Sequence, residues 1–183
     1  HPKHMSNPDT GILRVRYHME PFSVSERKKP APSRREIEIS KVITEALRPA
    51  VMLEKFPRTA LDVYLEVLQA DGGTRCAALD AASVAIADAG IPMRDLVCAC
   101  AAGKAADTII LDVNNEEDQA GQADMPIGYM PSLGKITLLQ LDGVLTADEY
   151  KKCIELGLEG CKQVYEIQKN ALREKYFSDG DNN

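Results

Sequence analysis

The chain has 183 residues, 44% of them hydrophobic and only 5% aromatic, with no tryptophan. One domain with a sizeable core therefore fits, and that core must be aliphatic and alanine-rich. A formal net charge of −6 excludes a surface coated in basic charge but leaves room for a local basic channel. ILRVRYHM, residues 12–19, alternates apolar and polar side chains as a half-buried strand does. PFSVSERKKPAPS follows with three prolines and a cluster of charge, which predicts a long surface loop. From Arg34, REIEISKVITEAL carries apolar residues near helical spacing, with Ser33 in the N-cap position and Pro49 to end or kink the helix. ALDVYLEVLQA, 60–70, alternates again and feeds a Gly72-Gly73-Thr74-Arg75 turn.

Residues 74–88 are small and apolar on most faces, so this helix must pack tightly against a sheet. LVCACAAGK and TIILDV predict two strands joined at Gly103-Lys104 and the Ala-Ala-Asp that follows. A polar loop over 114–124, short strands near 125–130 and 135–142, and a long amphipathic helix from Thr146 to about Tyr176 complete the order. The tail 178–183 is polar and expected to fray. This order predicts a single domain over 1–177, a mixed α/β sandwich rather than a doubly wound parallel sheet. No apolar run is long enough to span a bilayer and no secretory leader is readable. The five cysteines form no C-x-x-C pair, which predicts reduced core thiols in a cytoplasmic protein.

Two segments bear on chemistry. Gly72 and Gly73 free backbone N–H groups for close approach, Thr74 sits where an N-cap belongs, and Arg75 adds a forked cation over the first turn. That pattern suits a phosphate seat, although Gly-Gly-Thr before a helix also serves as a plain turn and cap. The acidic stretch holds Asp118 and Asp124 six apart. Oxygen ligands of this kind suit Mg²⁺, and the alternative is a solvated acidic loop. The spacing does not match an EF-hand. Arg34 and Arg35 open a helix, where cations oppose the dipole unless an anion lies nearby. HPKH at residues 1–4 lacks metal-site spacing, and no Ser-His-Asp or Cys-His set is readable. Basic charge gathers within residues 1–35 and acidic charge within 112–124, a pattern suited to a polyanion path leading to a metal or acid–base centre.

Taken together, HPKHM, LRVRYHMEPFSVSERKKPAPSRREIEISKVI, FPRTALDVYLEVLQADGGTRCAALDAAS, ADAGIPMRDLV, LDVNNEEDQAGQADMPIGYMP and ITLLQLDG resemble the RNase PH family, in its archaeal exosome branch. The resemblance implies a ribosomal protein S5 domain 2-like fold whose opening strands would precede His1. It implies phosphate-dependent 3′–5′ removal of nucleotides from single-stranded RNA, released as nucleoside diphosphates, with 3′ tailing as the reverse. Gly73, Thr74 and Arg75 then correspond to the phosphate site, with Arg75 also meeting RNA. Arg34 and Arg35 match arginines that hold RNA phosphates. Asp118 and Asp124 match carboxylates that bind Mg²⁺ or Mn²⁺ and assist protonation of the leaving 3′ oxygen, and Lys3 matches a basic residue at a pore neck. Inorganic phosphate is the implied co-substrate. The implied partners are a non-catalytic RNase PH-like subunit, in a hexameric ring built as a trimer of heterodimers, and RNA-binding cap subunits. A non-catalytic RNA-binding ring subunit and a stand-alone enzyme trimming tRNA 3′ ends are the alternatives. The aspartate pair and the Gly-Gly-Thr-Arg arginine speak against the first.

Overall fold

The alternation in ILRVRYHM gives strand β1 (Ile12–Met19), with Leu13, Val15, Tyr17 and Met19 turned inward. The structure is a computed structural model and describes residues 8–177; Lys3, the HPKH segment and the 178–183 tail lie outside the described residues. Helix α1 (Arg34–Leu47) carries Ile39, Ile43, Ala46 and Leu47 on its buried side. It links β1 to strand β2 (Ala60–Val67), which pairs with β1 in parallel, Ile12 opposite Ala60 through Met19 opposite Val67. Ser33 is the N-cap as expected, and with Glu36 it forms a capping box. Buried Glu36 reaches further, accepting from Met19 N at 2.8 Å and pairing with His18 Nδ1 at 3.0 Å. The start of α1 is thereby tied to the end of β1.

Helix α2 (Thr74–Asp88) packs between this layer and an antiparallel sheet. The sheet contains β3 (Cys98–Ala105), β4 (Thr108–Leu111), β5 (Ala123–Met130) and β6 (Lys135–Leu139) in the order β4-β3-β5-β6, and β7 (Asp142–Gly143) pairs with β5. Helix α4 (Ala147–Phe177) covers the other face. The sheet therefore has two buried faces. On β3, Ala99 and Ala101 join the core shared with α1 and α2, while Cys98, Cys100 and Ala102 join the core under α4. Small residues suit a strand pressed from both sides. The matching stripe on α4 is Cys153, Gly157, Gly160, Cys161 and Gln168, which lets that helix lie close. All five cysteines are buried and unpaired, in keeping with core thiols.

This is the mixed α/β arrangement the sequence predicts, with local corrections. The 114–124 stretch is not an irregular loop: Asn115–Ala120 form helix α3, whose N-cap Asn114 makes a capping box with Glu117. Gly103 and Lys104 lie within β3, and the turn is made at Ala106 and Asp107, both with positive φ. Strand β2 stops at Val67, short of 70, and the expected 135–142 strand divides into β6 and the short β7. Among the described residues no helix is long and apolar enough to cross a membrane.

One buried polar clamp holds the layers together. Asp80 Oδ1 accepts from Ala99 N at 2.7 Å and from Gln168 Nε2 at 3.2 Å, and the same amide donates to Val97 O at 3.1 Å. Burial pushes the Asp80 carboxyl from an ordinary 3.8 up to about 7, against a smaller downward pull from the Ala99 N–H. The folded chain thus keeps a proton that the unfolded chain releases near pH 4. Stability from this group is complete below pH 4 and is lost as pH rises to about 7, by up to about 4 kcal/mol. Besides Gln168, the thiols of Cys76, Cys98 and Cys100 feel this group, and none of them ionises in that range: burial raises Cys76 and Cys100, and the hydrogen bond with Cys161, then burial, raises Cys98. Asp80→Asn keeps the Oδ1 acceptor and should flatten the decline. Urea unfolding from pH 4 to 8 should show the variant more stable than wild type at pH 8, and parallel profiles would contradict this.

Candidate active site

Beyond β2 the chain turns back through Asp71 and two glycines into α2. Gly72 has φ +86, and a Cβ there would lie 2.7 Å from the backbone of Asn114 and Asn115. Only glycine permits this approach, which Asn115 N secures by donating to Asp71 O at 3.1 Å. The turn before α2 is thereby pressed against the start of α3.

Gly73, not Thr74, is the N-cap of α2. It adopts the left-handed conformation and supplies no side-chain acceptor to the first N–H groups of the helix. Thr74 is the first helical residue, and its Oγ1 accepts from the buried Tyr17 hydroxyl at 2.8 Å. Burial is the main cause raising the Tyr17 phenol, so it remains a donor; Thr74, Arg35 and Arg75 oppose the shift. Because Tyr17 supplies the proton of that bond, the Thr74 hydroxyl proton is free for another acceptor.

Arg75 does not simply overhang the first turn. One terminal nitrogen donates to Gln140 Oε1 at 2.6 Å and the other to Glu38 Oε2 at 3.0 Å, while Gln140 Nε2 donates to Glu38 Oε1 at 3.2 Å. The guanidinium is held by α1 and by the segment after β6, and its Nε is buried without a partner. Asp124, on β5 opposite Gly103 and Asp142, has a buried Oδ1 that is likewise unpartnered. Its carboxyl is pushed up to about 6, first by burial and then by the charge of Asp118, with Asp142 adding and Arg75 opposing. Asp118 stands exposed on α3.

These groups line one cleft of about 1440 Å³, which contains Arg35, Gly73, Thr74, Arg75, Asp118 and Asp124. Arg34 is exposed and does not line it. Neither arginine makes a hydrogen bond or ion pair among the described residues. Two carboxylates face an anion-seeking turn across this space. A hard cation such as Mg²⁺ accepts one or two carboxylates when ligand oxygens and water supply the rest, and the orphaned Asp124 oxygen fits that need. No group of three or more His, Cys, Asp or Glu that could hold a metal occurs among the described residues, so such an ion would depend on its ligand's oxygens.

The sequence did not reveal Tyr17, Glu38 or Gln140. Tyr17 reads only as an inward residue of β1, and Glu38 as one more charge on α1. Gln140 sits at a strand end that carries no signal.

The fold and the cleft have relatives. Residues 1–92 match the pattern of the 3′ exoribonuclease family (RNase PH), domain 1, and residues 95–160 match domain 2; the chain belongs to this family. Exosome complex component Rrp41 of Nitrosopumilus maritimus is 84% identical over 177 residues, covering 97% of this chain and 72% of the relative. The protein of that name from Cenarchaeum symbiosum is 75% identical over 181 residues, 99% of this chain and 74% of the relative. That from Pyrococcus abyssi is 63% identical over 177 residues, covering 97% and 71%. The crystal structure of rice (Oryza sativa) Rrp46 superposes with a TM-score of 0.81 over 92% of this chain and 76% of the other. At 24% identity that likeness speaks to fold.

Tyr17→Phe tests the anion seat. Loss of the bond that orients Thr74 should weaken binding of inorganic phosphate about three- to tenfold by calorimetry. Unchanged affinity in a folded variant would refute the orienting role.

Proposed function

We propose that this chain is the catalytic RNase PH-like subunit of an archaeal exosome and shortens single-stranded RNA from its 3′ end by phosphorolysis. An oxygen of inorganic phosphate forms a bond to the terminal phosphorus, the bond from phosphorus to the preceding 3′ oxygen breaks, and that oxygen takes up a proton. The products are a nucleoside diphosphate and an RNA one nucleotide shorter. The same step in reverse extends a 3′ tail.

The observation that carries this reading is the meeting, in one cleft, of the Gly73–Thr74–Arg75 turn and Arg35 with Asp118 and Asp124. Phosphate and RNA repel one another, so attack needs cations that collect both charges and fix their line of approach. In our reading Gly73 and Thr74 hold inorganic phosphate through the first N–H groups of α2 and the Thr74 hydroxyl. Arg75, held by Glu38 and Gln140, directs its free Nε–H to the same anion. Arg35, with Arg34 beside it in sequence, takes the RNA backbone, and Lys3 is assigned to RNA by the family resemblance alone. Asp124, whose carboxyl is pushed up to about 6, holds a proton within the range where it can be passed to the leaving 3′ oxygen. Alternatively, Asp118 and Asp124, both ionised, would hold Mg²⁺ or Mn²⁺, which when bound takes the place of that proton and neutralises charge developing on the oxygen.

RNA held through its phosphates is bound with little regard to sequence and with strong dependence on salt. The archaeal relatives are named exosome complex components, which supports assembly with other subunits; in our reading these are a non-catalytic RNase PH-like subunit, in a hexameric ring built as a trimer of heterodimers, and RNA-binding cap subunits. Work of this kind on RNA in archaeal cells belongs in the cytoplasm.

The test is the fate of a single-stranded oligoribonucleotide given to the assembled complex with and without inorganic phosphate. Nucleoside diphosphates should appear only with phosphate. Asp118→Ala should lower the rate by about 100-fold or more while RNA affinity changes little. Nucleoside monophosphates formed without phosphate would mean hydrolysis, and full activity in the variant would remove Asp118 from the chemistry.

A further inference from the structure

The lining of the cleft contains a group that phosphate chemistry does not need. Phe22 is 64% exposed, yet it lines the cleft together with Arg27 and Arg35. A large apolar ring held in water within a charged cleft calls for an explanation, and a loose loop is not one. Ser23 N donates to Glu20 O at 2.9 Å and Lys28 N to Pro21 O at 3.0 Å, closing the turn on either side of Phe22. Glu20 N donates to Val67 O at 3.1 Å and Ala70 N to Ser23 O at 2.9 Å. The turn carrying Phe22 is therefore fastened to the stem from which Gly72 and Gly73 project. Its neighbour Ser23 is 4% exposed, also lines the cleft, and has a hydroxyl with no partner.

We propose that Phe22 is a base-stacking platform for single-stranded RNA, with the Ser23 hydroxyl as an additional polar contact to the same nucleotide. The inference rests on the RNA-cleaving reading above and assigns that site a subsite for a nucleobase. An exposed aromatic ring lining the same cleft as guanidinium groups is how proteins hold a single strand without reading its sequence: cations take the phosphates and the ring takes a base. Arg27 and Arg35 make no hydrogen bond or ion pair among the described residues, so both remain available to the phosphates flanking the stacked base. The anchoring hydrogen bonds fix the ring relative to the Thr74–Arg75 seat, so stacking sets where along the strand the scissile phosphate falls. An apolar protein partner would fit the ring but not the cations around it.

The assembled complex without phosphate leaves RNA intact and allows binding alone to be measured. Oligoribonucleotides carrying 2-aminopurine in turn at each of the 3′-terminal positions should show quenching on binding at one position. Phe22→Ala should abolish that quenching and weaken RNA binding about tenfold, and Phe22→Trp should restore affinity. RNA made abasic at that position should bind wild type as weakly as intact RNA binds Phe22→Ala, and should be weakened no further by the substitution. Wild-type affinity and quenching in Phe22→Ala would overturn the proposal, as would an equal loss with abasic RNA. Adding phosphate afterwards separates the two readings. If no nucleoside diphosphate appears, the reaction assigned above is wrong while the stacking result stands; if it appears and Phe22→Ala changes nothing, only the platform falls.

Discussion

The site depends on one close backbone approach, that of Gly72 to Asn114 and Asn115. The cationic half of the cleft grows from the β1–α1–β2–α2 layer: Arg35 from the start of α1, and Thr74 and Arg75 from the start of α2. The acidic half grows from α3 and β5. The layers are joined by the core that α1, α2 and the sheet share and by the Asp80 clamp, but neither core includes a residue of α3 or of the 71–73 turn. What sets the start of α2 against α3 is a turn so tight that any side chain at residue 72 would collide with the opposing main chain. Fixing the halves before ligand binds means that the ordering is done in folding and not at each encounter.

That convergence leaves a recognisable electrostatic residue. Asp124 is buried near Asp118 and Asp142 with an oxygen unsatisfied, and its carboxyl rises to about 6 as a result. Arg75 spends its terminal nitrogens on Glu38 and Gln140 and retains one buried N–H without a partner. Unsatisfied buried polar atoms are rare in folded proteins because each carries a desolvation penalty of about 1–3 kcal/mol. Thr137 and Gln168 carry one each elsewhere, but those of Arg75 and Asp124 fall in a single cleft, where a polyanion and a cation would satisfy them together. The Glu38–Arg75–Gln140 set has a second consequence. It holds the guanidinium in one orientation while anion is absent, so little side-chain freedom remains to be lost on binding.

Much of the fold was legible from periodicity alone. The β1 alternation, the Ser33 cap, the α2 limits at Thr74 and Asp88 and the long final helix all follow from local rules. The failures have physical causes. Thr74 was assigned the cap because threonine favours it, but a left-handed Gly73 takes that place and frees the hydroxyl for Tyr17. The 114–124 stretch read as a polar loop, and the N-x-x-E box of Asn114 and Glu117 makes Asn115–Ala120 a helix all the same. The connection was expected over Gly103-Lys104 and the Ala-Ala-Asp that follows; Ala106 and Asp107 do turn, but Gly103 and Lys104 belong to the strand, which needs small residues where it is squeezed between two layers. At the site, residue types announced the anion turn and the carboxylates. Arg34 and Arg35 looked equivalent, yet consecutive helical residues point about 100° apart, and Arg35 alone lines the cleft. Tyr17, Glu38 and Gln140 were silent, because a role that consists of holding another side chain exists only in three dimensions.

Catalysis, in this reading, depends on the cationic and acidic sides of the cleft being held in contact at Gly72. The most direct test is the phosphate-dependent rate of Gly72→Ala in the assembled complex, read beside its circular dichroism spectrum. The account predicts a spectrum like that of wild type, with both cores intact, and a rate lower by about 100-fold, since displacements near 1 Å have effects of that order. A Gly72→Ala complex that folds and degrades RNA at the wild-type rate would contradict it.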